Sequence, residues 1–157
     1  MAERAETLAN RLDQANDETI AAVGACSDDQ WGKTCADEGW TVAVTAHHIA
    51  SGYAPMTGLI QALASGADLP ALTMEQIDQS NAGNATKFAN VSQQETGDLL
   101  KTGGAAAVAA IRGLNDEQLD RSSVVLQGAP EMTTEQVVES VVIGSTTGHL
   151  ASIKKTI

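Results

Sequence analysis

Trp40-Thr41-Val42-Ala43-Val44-Thr45-Ala46-His47-His48-Ile49-Ala50 opens a run of small and apolar residues that continues to Ala64 before Ser65-Gly66 stops it. A run of this length is too long for a strand, and it predicts a helix from about Thr41 to Ala64. On that helix His48 shares its face with Gly52, Met56, Leu59 and Leu63, whereas His47, about 100° around, goes with Ser51, Ala54 and Gly58. His48 is therefore expected to point into the core and His47 toward its edge. Pro55 removes the bond to the Ser51 carbonyl, so a kink or local opening is expected there.

Working outward, Leu8, Leu12, Ala15 and Thr19 form one stripe of a helix from Glu3 to Val23, which Gly24 is placed to end. Ser27-Asp28-Asp29-Gln30 has capping-box spacing and opens a short turn, followed by a loop through Gly39. Thr73-Met74-Glu75-Gln76 repeats the signal for a connecting helix with Ile77, Asn81, Asn84 and Phe88 on one face. Ser92-Gln93-Gln94-Glu95 starts another helix that reaches Gly113 through Gly103-Gly104, where small residues allow close packing. Asn115 to Leu119 reads as a capped turn. Ser123-Val124-Val125-Leu126 has strand character but no visible partner, so it is read as extended loop. Thr133, with Gln136, starts the last helix, which runs to about Lys155. The sum is an all-α four-helix bundle with a crossover connection, one domain over residues 1–157.

Composition supports helices, because apolar residues make up 43% of the chain and aromatics 3%, leaving Ala, Val, Leu and Ile to build the core. A net charge of -11 disfavours nucleic acid and anionic membrane as partners, since phosphates are bound by clustered cations. No signal segment or spanning run is read, so a cytoplasmic protein is expected, with Cys26 and Cys35 as reduced thiols. Asp37 and Glu38 would oppose a reactive Cys35 thiolate. Faces of small residues suit close packing, and a homodimer is expected.

Val138, Val142, Ser145, His149 and Ile153 step along one face of the last helix, so His149 and Ser145 are expected on a core stripe. Two inward histidines on different helices suggest a shared site. A buried imidazole needs partners for both nitrogens, and a metal ion is one of the available kinds, beside a side chain or a trapped water. Zn²⁺ takes four ligands, or three protein ligands and water, and only His48 and His149 are good donors here. The other reading is a pair of hydrogen-bonded core histidines. Asn81 and Asn84 would orient a ligand's carboxylate or amide, or simply face water. No residue is singled out as catalytic.

Trp40 followed eight positions later by His48, together with Gly148-His149-Leu150-Ala151-Ser152-Ile153 and the acidic turn Asn115 to Asp120, resembles the DinB-like superfamily, which includes the mycothiol-dependent maleylpyruvate isomerases. The resemblance implies a four-helix bundle, commonly dimeric, that holds a divalent metal such as Zn or Ni through three side chains at one end. It places His48 and His149 at ligand positions. The third position, one turn before the final histidine, is Ser145, a poor ligand for Zn²⁺. Three outcomes stay open: a weak site completed by waters and substrate, a site completed by His47, or a pocket that has given up metal. Two functions follow from these: a metal-dependent thiol transferase, isomerase or hydrolase using His48 and His149, or a non-catalytic, small-ligand-binding or stress-associated bundle. The pocket in either case is expected to include His47, Ser145, Asn81 and Asn84.

Overall fold

The computed structural model describes residues 2–157. Its elements are α1 (Glu3–Ala25), α2 (Asp28–Trp31), α3 (Val42–Ser65), α4 (Met74–Lys87), α5 (Gln93–Arg112), α6 (Asp116–Asp120), β1 (Ser122–Ser123), β2 (Met132–Thr133) and α7 (134–156). The last is one continuous helix with a π-helical stretch at Val137–Ile143. Five helix starts are closed by reciprocal capping boxes, at Ser27, Thr73, Ser92, Asn115 and Thr133. Each box satisfies two backbone donors that the first turn leaves free, which is why short sequence signals set these boundaries so sharply.

The four long helices make the bundle. α1 and α3 each pack on both α5 and α7, which puts α1 opposite α3 and α5 opposite α7. The connections from α1 to α3 and from α5 to α7 therefore cross the bundle, while α4 leads between neighbours. The stripe of Leu8, Leu12, Ala15 and Thr19 is buried, and it meets Leu100, Val108 and Ile111 in one core. Glycines set the closest approach, with a Cβ on Gly103 meeting the Tyr53 Cβ at 3.4 Å.

Two expectations change. The extended segment after α6 has partners after all: Ser122 and Ser123 pair antiparallel with Thr133 and Met132, and Leu126 bridges to Leu72. Leu72 donates to Val125 and accepts from Gln127, so the linker before α4 supplies the missing edge from about fifty residues away. The phase of α7 also shifts. A π turn holds more residues than an α turn, and after Val137–Ile143 the buried position is Thr146, with Ser145 only half-buried.

α4 is held lightly. None of its residues is buried, and Met74 and the preceding Leu72 are half-exposed. It lies across the side of α3 that carries the paired histidines.

Candidate histidine site

The segment between α2 and α3 folds back on itself. The Cys35 amide donates to the Trp40 carbonyl at 2.7 Å, and the Gly39 amide donates to the Cys35 carbonyl at 2.9 Å. Gly39 has φ +72°, a left-handed conformation that glycine takes without steric cost. With the Cys35 side chain fully buried as its anchor, this turn carries Glu38 onto the C-terminal half of α7. There the His149 Nδ1–H donates to Glu38 Oε1 at 2.9 Å, and the Ser152 hydroxyl donates to Glu38 Oε2 at 2.6 Å. Glu38 is 11% exposed and His149 23%. Both carboxylate oxygens are thus committed, one to orienting the imidazole and one to a buried serine that fixes the carboxylate itself.

His48 completes the group from α3. Its ring centroid lies 4.9 Å from that of His149 with the planes at 88°, and Trp40 stands 5.1 Å from His48 and 6.5 Å from His149. The site is therefore Glu38, Trp40, His48, His149 and Ser152. The shared site of two histidines is what the sequence suggested; Glu38 and Ser152 were not singled out. Glu38 sits on a loop, where no periodicity points it inward, and the only signal was its place two residues before Trp40.

His47 and His48 exchange their expected places. His47 is 6% exposed, its ring on Phe88 at a centroid distance of 3.9 Å, while His48 is half-buried and faces His149. The reason is that α3 is covered nearly all round from Val42 to Ala50, so its apolar residues mark no single stripe. Asn81 and Asn84 do approach from α4, lining with Trp40, Val44, His47 and His48 a crevice of about 10 Å³, room for roughly one water. Ser145 lies one turn before His149 and is half-buried.

Burial, reinforced by the neighbouring His149, lowers the His48 pKa to about 4 against partial opposition from Glu38. Burial also lowers His47. For Glu38, burial pushes the carboxyl up, but the hydrogen bonds from Ser152 and His149 and the attraction of His149 outweigh it and hold it below the usual range. Unfolded His48 binds a proton near its ordinary value of about 6.5, folded His48 only near 4, so the unfolded state takes up more protons between them. Its contribution is full above pH 6.5 or so and is lost as pH falls toward 4; that of Glu38 is lost only below its ordinary value. Urea unfolding at pH 7, 5.5 and 4.5 is expected to show falling stability that His48→Asn flattens. An equal slope in the variant would contradict the assignment.

The donors do not fit a centre with three protein ligands. Glu38 accepts from His149 and Ser152, Ser145 is a neutral hydroxyl, and among the described residues no three His, Cys, Asp or Glu side chains are grouped to hold a metal ion. What the group can do with its own atoms is present a rigid imidazole. His149 with its proton on Nδ1 offers the Nε2 lone pair, and the neighbouring carboxylate stabilises the imidazolium that forms when Nε2 takes a proton.

Residues 12–142 match the family model of the mycothiol maleylpyruvate isomerase N-terminal domain. YfiT from Bacillus subtilis, described as a probable metal-dependent hydrolase with an unusual four-helix bundle topology, superposes with a TM-score of 0.80 at 19% identity, over 99% of this chain and 87% of that one. The mycothiol-dependent maleylpyruvate isomerase superposes with a TM-score of 0.75 at 12% identity, over 95% of this chain and 60% of its own. At such identities the likeness establishes the fold alone, an all-α four-helix bundle. No curated protein matches the sequence. No helix among the described residues is long and apolar enough to cross a membrane.

Proposed function

The chain belongs to the mycothiol maleylpyruvate isomerase N-terminal domain family, and from that premise we propose that it is an acid–base member of the isomerase and hydrolase kind, acting on a small polar molecule through His149 without a three-ligand metal centre. The observation that carries this reading is the Glu38–His149 contact at 2.9 Å, with Glu38 itself clamped by Ser152. A histidine fixed in one tautomer by a partly buried carboxylate is suited to take a proton at Nε2 and return it. His48, neutral above pH 4 or so, contributes hydrogen bonding to the substrate rather than charge. Trp40 supplies an apolar wall.

The crevice beside His48 is too small for a substrate, so α4 moves aside on binding and brings Asn81 and Asn84 over the bound molecule. Their amides contact its carboxylate or carbonyl, and Ser145 its far end. The description of YfiT as metal-dependent favours a second reading, in which His48 and His149 hold a divalent ion completed by waters. Protein stripped with a chelator, assayed for thiol-dependent maleylpyruvate isomerisation and for hydrolysis of small esters, separates the two. Turnover that survives stripping and disappears in His149→Asn is expected. Turnover only after Zn²⁺ or Ni²⁺ is added back would favour the second.

A further inference from the structure

An open groove of about 580 Å³ lies between α3, the α4–α5 connection and α5, with His47 and Phe88 in its lining. His47 forms part of its wall. His47 is 6% exposed, none of the side-chain hydrogen bonds among the described residues involves its ring, and its ring nitrogens are not among the fully buried unpartnered atoms, so they keep contact with solvent. Unused by the Glu38–His149 pair, this imidazole is free to hydrogen-bond to a molecule in the groove that it lines.

The rest of the lining carries both signs of charge. The Lys87 ammonium makes no ion pair among the described residues and stands 5.2 Å from the Phe88 ring centroid. Asp98 likewise has no side-chain partner there, and Glu95 beside it spends one oxygen, Oε2, on capping Ser92. Phe88, Val91 and Leu99 supply apolar surface, with Leu99 36% exposed. An anion alone would reach Lys87 but face two carboxylates; a cation alone would satisfy these but meet Lys87. A molecule with one charge of each sign answers all three, its body resting on Phe88 and Leu99.

We propose that this groove binds a small zwitterion, an ammonium and a carboxylate carried on an apolar or aromatic body, with His47 hydrogen-bonding to it from the wall. The groove shares His47 with the crevice beside His48, but the proposal uses neither Glu38 nor His149. L-phenylalanine serves as probe on the full chain, followed by NMR of the His47 and Phe88 rings, with 3-phenylpropionate and phenethylamine as analogues lacking one charge each. Saturable shifts with Kd below about 1 mM are expected, weakened about tenfold for either analogue and about fivefold or more in Lys87→Met and in Asp98→Asn. Both substituted side chains are exposed, so these variants keep the fold. No saturable shift, equal affinity for the one-charge analogues, or affinity unchanged in both variants would overturn the proposal. Shifts at His48 and His149 in place of those at His47 would overturn it too, by placing the probe in the acid–base site.

Discussion

Gly104→Ala is expected to destabilise the protein by about 3 kcal/mol, a fall of roughly 10 °C in Tm for a chain of this size. A Cβ at this position would lie 2.1 Å from Asn16 Nδ2 and 2.6 Å from its Cγ, inside the core. Asn16 cannot step aside cheaply. It is 4% exposed, donates to the Leu100 carbonyl at 3.0 Å and accepts from the Tyr53 hydroxyl at 3.0 Å. Tyr53 is fully buried, with its pKa pushed up to about 12 by that burial. Moving Asn16 leaves the buried Tyr53 hydroxyl short of an acceptor and the Asn16 amide short of its own partners, each costing about 1–3 kcal/mol when buried. The test is a cycle. In an Asn16→Ala background the collision is gone, and Gly104→Ala is expected to be close to neutral, since alanine is favoured over glycine in a helix by about 1 kcal/mol. Equal cost in both backgrounds, measured by urea unfolding, would contradict the account.

Glu38→Gln is expected to lower turnover by about 100-fold through kcat with little change in KM. Glutamine keeps the size and can still accept from Nδ1–H, but it cannot stabilise the imidazolium formed when Nε2 takes a proton. Long-range ¹⁵N–¹H NMR provides a readout independent of substrate. In the native protein the His149 proton is expected on Nδ1, and in Glu38→Ala, which offers no acceptor, a mixture of tautomers. A mixture already present in the native protein would show that Glu38 does not fix the ring.

Much of this was legible because it is local. The α1 stripe, the helix-start caps and the stop at Gly66 are decided by residues within a turn of each other, and the chain obeys them. That histidines of α3 and α7 meet was legible as well, because one bundle leaves few places for polar side chains, although the face read for each helix was not the one observed. Three features escaped for a shared reason. The partner of Leu126 is Leu72, the partner of His149 is Glu38, and the cover of His47 is Phe88, all contacts between segments remote in sequence. The π-helical stretch of α7 escaped differently: it changes the helical period that the reading of Ser145 assumed constant.

The central claim is that the bundle end works through a carboxylate-oriented histidine and not through a three-ligand metal centre. Zn²⁺ and Ni²⁺ content, measured by elemental analysis of untagged protein before and after metal loading and dialysis, tests it most directly, with His48→Ala/His149→Ala alongside. The account predicts well under one equivalent retained by either protein. About one equivalent held by the native chain and lost from the double variant would contradict it.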